Sequence, residues 1–489
     1  MLSRTAVRVS VLCLLLVAAC SATGLPTTVP NTGPATLAPE AMAQTILAPT
    51  VAPTMQVPTG LAPTAPVTTQ PDATAEPGVQ PTPPPVTATV EVSPTAEVTA
   101  APQMPPIAHL AAGQPITVTA IQMLDASTGW AVGHSAADPN DHILQTADGG
   151  KSWSDVTPPE PASPPDPNNP NSGKNAAAFF MSAKDAWAAY GFGTAAPVPP
   201  GASATVWSTH DGGQNWTASG PLAISDLEQY WPSNLVFVDG KAGWLMAHVG
   251  AGMSHDYVVM FATADAGVTW NKVVNPMALP DTGALDMSCY KTGMAFVDAK
   301  TGWVSGDCFG VVPGSPYLYQ TGDGGQSWQN VTLPPPSDVP NLYTNENNAC
   351  GAGAIEVPSA TDGRLPVSCG FMDTNKQRGW LYVSSDGGKT WTPQALPTAY
   401  GLLDFISPTE GWWAGNNTQQ DTTVPRVLYH TTDAGKTWSA GRKLNWGGQL
   451  DFISGQAGWA VAINGSAVAL VQTGDGGNKW GLLTPQTGP

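Results

Sequence analysis

Charge is scarce in this chain, and positive charge is scarcer still. Of 489 residues only 11% are charged, with 18 Lys and Arg against 36 Asp and Glu and a formal charge of −18. A chain so poor in cations has no electrostatic footprint for nucleic acid and is repelled by anionic lipid. Long apolar runs are missing as well. The one near the start, residues 9–17, is too short to cross a bilayer. No stretch carries a persuasive 3.6-residue hydrophobic period, which excludes long helices as the main architecture. Cysteine amounts to six residues, and none has the close C-x-x-C spacing of a zinc site. There is no phosphate loop, nucleophile elbow or H-E-x-x-H motif. We expect neither a metal nor a cofactor. The chain is rich instead in Gly (52) and Pro (49), a composition of short strands and many turns.

The first twenty residues, "MLSRTAVRVSVLCLLLVAAC", pair Arg4 and Arg8 with an apolar run and then small residues, the pattern of a secretory signal. The closing "VAAC" resembles the lipobox of bacterial lipoproteins. That resemblance assigns lipidation to Cys20, which becomes the new N-terminus, and implies an exported domain anchored to the outside of the cell membrane. Residues 21–106 hold 19 Pro and 18 Thr with no aromatic, Lys or Arg, so they bury too little apolar surface to offset the cost of ordering. The expected organisation is a signal peptide (1–20), a disordered Pro/Thr-rich stalk (21–106) and one folded domain (107–489).

Within 107–489 one phrase recurs seven times: "TADGGKSW", "THDGGQNW", "TADAGVTW", "TGDGGQSW", "SSDGGKTW", "TTDAGKTW" and "TGDGGNKW". Its aspartates are Asp148, Asp211, Asp265, Asp323, Asp386, Asp433 and Asp475, spaced by 42 to 63 residues, the period of propeller blades. Seven of the 18 tryptophans close this phrase, and six more follow a small residue, as in "TGWAVG" and "AGWLMA". Each unit reads as four short strands, with the repeated phrase as the hairpin turn between the third and fourth. The Gly-Gly or Ala-Gly pair supplies positive φ. The Asp accepts N–H bonds across the turn, and the Trp packs between sheets. The expected fold is all-β, a single seven-bladed propeller of four-stranded blades. "ITVTAIQML" is the best candidate for the first inner strand, and no extra strand to latch the last blade is legible.

The pattern S/T-x-D-[GA]-G-x-x-W resembles the Asp-box, or bacterial neuraminidase repeat. The combination "GWAVG … ILQTADGGKSW" is most similar to the photosystem II assembly and stability factor type. The resemblance covers 107–489 and implies that the boxes are structural, on the side of the ring away from the ligand. Sialidases share the box and bind a substrate carboxylate with three arginines. The expected mature chain has four, Arg364, Arg378, Arg426 and Arg442, with no sign of convergence, so a true sialidase is not expected. The same four are poor material for the arginine-rich patch of the photosystem factors.

The remaining cysteines form two pairs of equal separation, Cys289 with Cys308 and Cys350 with Cys369, each centred on a turn. In an exported domain these read as disulfides. They fall on the face built by the longer, less repetitive loops, where specificity resides on a repeated scaffold. Those loops offer Glu228, Tyr230, Trp231, Asp256, Asp307 and Glu346 as binding candidates, with Trp231 and Trp446 as exposed aromatics for a glycan. We expect a monomeric, non-catalytic binding or assembly domain for a protein partner. A glycan-binding module, or a glycoside hydrolase using two acids flanking the bond, is the alternative.

Overall fold

The computed structural model describes residues 104–163, 173–192, 198, 202–252, 255–276, 283–308, 314–417, 425–439 and 441–488. The signal peptide, Cys20 and nearly all of the stalk lie outside the described residues. Seven antiparallel sheets follow one another along the chain, each with its strands in sequence order. First strands of neighbouring sheets touch, so they line the axis and the fourth strands form the rim. This is the expected seven-bladed propeller. Blade 4 is representative, with strands Tyr290–Phe296, Gly302–Asp307, Tyr317–Thr321 and Gln329–Asn330.

The core is divided into seven wedges, each lying between two adjacent blades. At four junctions the second-strand tryptophan of one blade lies flat on the Phe that ends the first strand of the next. Trp187 stacks on Phe237 at 4.0 Å, Trp244 on Phe296 at 3.6 Å and Trp412 on Phe452 at 3.8 Å. The glycine before Trp244 and Trp412 has its own reason, and Ala186 takes its place before Trp187. At Gly243 a β-carbon would lie 2.5 Å from the Phe237 ring of the same blade. The Phe is thus held between a glycine of its own blade and the tryptophan of the preceding one. Removing such a buried aromatic costs about 3–5 kcal/mol.

Blade 5 departs from the rule. Register places Arg364, in the strand Gly363–Phe371, where the other blades have Trp. Its guanidinium lies 5.2 Å over the Phe405 ring of blade 6 and donates to the Pro408 carbonyl of the same blade. It also donates to the carbonyls of Gly363 (2.8 Å) and Ser384 (3.1 Å). Arg364 is therefore a cationic replacement for the wedge tryptophan.

In every box the carboxylate Oδ1 accepts the hydroxyl proton of the Thr or Ser two places earlier, at 2.8–3.0 Å. That hydroxyl in turn accepts the N–H of the box's last Gly at 2.9–3.0 Å. Ala266 and Ala434 adopt φ of 64° and 66°, so the second box position is left-handed even without Gly. The N–H at that position bonds to the turn between strands one and two of its own blade, as Gly149 does to Ser127 and Gly324 to Lys300. Three wedge tryptophans reach the box of the next blade: Trp187 Nε1 donates to Ala266 O, Trp244 to Gly324 O and Trp459 to Gly149 O. The box is a lock between blades.

The ring closes in two places. Near the axis, Asp451 of blade 7 accepts the Met123 N–H at 2.5 Å, and Gln449 makes two bonds to Ile121. At the rim, Gln486–Thr487 pairs in parallel with Ser152–Trp153 as a fifth strand on blade 1. Thr487 is also tied to the chain entering the ring, through Gly113 N–H (2.9 Å) and Gln114 N–H (2.8 Å to its hydroxyl). This latch was not legible because two residues leave no periodicity.

Two outcomes follow. Deleting residues 485–489 removes this strand and lowers unfolding free energy by roughly 2–4 kcal/mol for the backbone bonds lost, read as a lower urea midpoint. Hydroxyl and backbone bonds from Thr390 hold Asp386 at about 2, and those from Thr437 hold Asp433 at about 2. A carboxylate depressed in the folded state stabilises it above its usual value of about 4 and loses that contribution as pH falls toward 2. Urea midpoints are therefore expected to fall between pH 5 and 2.5, and the slope should flatten when Asp386 and Asp433 are both replaced by Asn.

Candidate functional site

In an antiparallel four-stranded blade, the one-to-two and three-to-four turns share an end. The boxes and short turns therefore occupy one face, and the longer two-to-three and four-to-one connections occupy the other. Both disulfides lie on this second face. Cys289 joins Cys308 at the ends of the first hairpin of blade 4, and Cys350 joins Cys369, directly opposite in the blade 5 ladder.

The six loop-face candidates do not come together as one surface. Glu228 and Glu346 are exposed and Trp231 is half-buried. Tyr230, Asp256 and Asp307 are buried, at 2%, 4% and 8% exposure, and are not solvent-facing loop residues. Tyr230 is packed into the wedge between blades 2 and 3. Asp256 accepts from the His248 ring at 2.8 Å and from the Lys291 N–H at 2.8 Å. Asp307 presses against Gly351 of blade 5, where any β-carbon would overlap its carboxylate. Trp446 is likewise covered, edge-on to Trp480 at 5.3 Å, so it offers no exposed platform. These residues lie at loop ends in sequence, but the ends of propeller strands are themselves wedged between blades.

Lys291 shows how this face spends its charge. Its amine donates to the carbonyls of Ser288 (2.8 Å), Cys289 (3.0 Å) and Asp256 (3.1 Å), and lies 5.0 Å over the Tyr317 ring. Burial lowers it to about 8, with Asp256 and Asp286 pulling the other way. The arginines are equally dispersed. Arg364 fills the blade 5 wedge, and Arg426 is buried with a bond to Ala414 O at 3.2 Å. Arg442 reaches Asn478 at 2.8 Å, and Arg378 pairs with Asp338 at 2.6 Å. They occupy four separate places and form no common anion site.

An open cleft of about 650 Å³ lies on this face where blade 5 meets blade 6, within the size range of ligand sites. One wall is the start of the blade 5 third strand, Asn375 to Gly379, and the other is the connection Ala395 to Ala399 with Asn417. The walls are fixed from behind. Arg378 stands opposite Cys369 in the ladder, so the Cys350–Cys369 bridge backs the cationic wall. Gly379 is required because a β-carbon there would lie 2.6 Å from the Thr398 carbonyl. Trp413 Nε1 donates to the Thr398 hydroxyl at 2.7 Å, and Asn417 Oδ1 accepts the Ala399 N–H at 2.9 Å. Sequence reasoning took Arg378 only as a failed sialidase arginine. The available signal was "NKQR", four polar residues including two cations in a domain short of both.

The fold and its seven locked turns define the chain as an Asp-box β-propeller. A family model described as the BNR/Asp-box repeat matches residues 382–393, the end of the third strand and the box of blade 5. A comparison with curated proteins finds no match. Among solved structures, the chain is similar to one described as YCF48 bound to D1 peptide (TM-score 0.42, 16% identity, covering 76% of this chain and 99% of that one). It is also similar to SapL1 lectin in complex with alpha methyl fucoside (TM-score 0.32, 9% identity, 76% of this chain and 98% of the other). A third is the NanB sialidase from Streptococcus pneumoniae (TM-score 0.32, 9% identity, 76% and 84%). At these identities the likeness is one of fold alone.

Replacing Cys350 and Cys369 by Ala is expected to lower stability by about 2–4 kcal/mol and to speed amide exchange at 376–379 before the rest of blade 5. Unchanged exchange there would show that the bridge does not stiffen the cleft wall.

Proposed function

We propose that the propeller is a binding or assembly domain for a protein partner at the cell surface, carried outside the membrane by lipidated Cys20 on the 21–106 stalk. The observation that supports this reading is the use to which the loop face puts its ionisable groups. Asp256, Lys291 and Arg426 are buried and bonded into the scaffold. Glu160, also buried, is held by Lys174 and by Trp207 Nε1 at 2.8 Å. Groups so committed are poorly placed to flank a scissile bond as acid and base. The exposed part of the face, with Glu228, Glu346 and the partly covered Trp231, remains for contact with a partner. A second reading, a glycan-binding module on the same face, is favoured by the polar cleft at blades 5 and 6.

The test is cross-linked capture from source cells with the full chain, against a variant in which Glu228, Trp231 and Glu346 are Ala. A partner lost in that variant and kept when Lys389 and Lys436, on the box face, are replaced by Ala supports the reading. Equal loss from both variants, or no enrichment, sinks it. In the same cells Cys20→Ala is expected to move the protein from the membrane fraction to the soluble exported fraction.

A further inference from the structure

The cleft between blades 5 and 6 reverses the charge of the protein around it. The chain carries twice as many acids as Lys and Arg, yet the described residues lining this cleft include Lys376 and Arg378 and no carboxylate. The other polar side chains there are Asn375, Gln377, Thr398 and Asn417.

Orientation is fixed where the hydrogen bonds decide it. Asn417 commits its oxygen to the Ala399 N–H, which leaves its amide nitrogen as a donor. The Arg378 guanidinium lies over the Trp380 ring, 4.7 Å from its centroid, and donates from one nitrogen to Asp338. That pair is half-exposed, at 41% and 54% for the two side chains, so it contributes little. The guanidinium has five N–H donors, and those not turned to Asp338 stay available beside the Lys376 amine. Donors therefore dominate the cleft, and its occupant must be rich in acceptors and negatively charged.

We propose that this cleft binds an acidic oligosaccharide, with a uronate carboxylate on Arg378 and Lys376 and ring hydroxyls on the amides of Asn417, Gln377 and Asn375. An acidic saccharide fits better than an acidic peptide. The exposed lining is made of amides and cations that match vicinal hydroxyls, whereas a peptide gains specificity from pockets for alternate side chains. The proposal rests on the reading of the loop face as a binding surface and names a ligand for one part of it. Guanidinium is the natural partner for a planar carboxylate because two parallel N–H bonds can form. In so acidic a protein a local cationic cleft also focuses the field on an incoming anion, an effect that salt screens.

The test is calorimetric titration of the purified full-length protein with tetramers of galacturonate, glucuronate-containing and mannuronate saccharides. The controls are the methyl-esterified galacturonate tetramer and a tetraglutamate peptide. At least one uronate tetramer is expected to bind, at least tenfold more tightly than its neutral ester and more weakly at 0.5 M salt than at 0.05 M. Lys376→Gln with Arg378→Gln should weaken it at least tenfold with the melting temperature unchanged, because both side chains reach the surface, and Asn417→Ala should weaken it several-fold. The reference variant Lys389→Ala with Lys436→Ala, on the box face, should bind normally. No binding by any uronate tetramer, equal binding by the ester, tighter binding of tetraglutamate or full binding by the double Gln variant each overturns the proposal. Capture of a loop-face partner alongside any of those results would leave the binding reading standing and remove only this ligand.

Discussion

The structure depends on a contact between blades rather than within them. A four-stranded sheet of this size has two apolar faces and cannot bury both by itself. Here each sheet surrenders one face to the blade before it and one to the blade after. The contact is made by a second-strand tryptophan lying on a neighbour's phenylalanine, as Trp244 does on Phe296. The glycine preceding that tryptophan follows from the same geometry, since the blade's own phenylalanine occupies the space of its side chain. Stability is therefore cyclic, and no blade is complete until the ring is.

The boxes add direction to these wedges. Burial alone tolerates sliding, whereas the bond from Trp187 Nε1 to the Ala266 carbonyl fixes how far one blade is turned against the next. Each box is itself shaped by an aspartate that serves its own turn. Seven repetitions of an acid are thus compatible with a structural duty at every copy, and what distinguishes one blade from another has to be sought on the opposite face.

Much of the fold was legible because repetition makes weak signals add. A single "TGDGGQSW" would indicate only a turn, but seven at blade spacing, alternating with "GW", specify the architecture and the hairpin each phrase closes. The disulfides were legible for a related reason, two equal separations about two turns. What escaped was whatever did not repeat. The two-residue latch at Gln486–Thr487 carries no pattern. Tyr230, Asp256 and Asp307 sit at loop ends in sequence, and only the packing of adjacent blades shows them to be covered. In sequence Arg364 is only one of four scattered arginines, and ladder register was needed to show that it stands in the tryptophan position. The cleft wall at 375–378 lies on one hairpin and the connection at 395–399 follows from the same blade, but Asn417 is brought in from blade 6, a proximity that sequence spacing does not encode.

The arrangement at the end of the chain has a mechanical side. Thr487 lies between the outer strand of blade 1 and the segment at 111–114 through which the polypeptide enters the ring. Tension applied to the propeller from its N-terminal side is taken up first by the backbone bonds that tie Pro105 to Ala162 and Ile107 to Glu160, and then by the bonds that hold Thr487. Those bonds are also the seam of the circle. A pull strong enough to peel residues 107–114 from blade 1 would loosen the fastening of the last strand, so load-bearing and circular integrity share one set of hydrogen bonds. For a domain on a tether, the weakest mechanical point and the point of ring opening would be the same place.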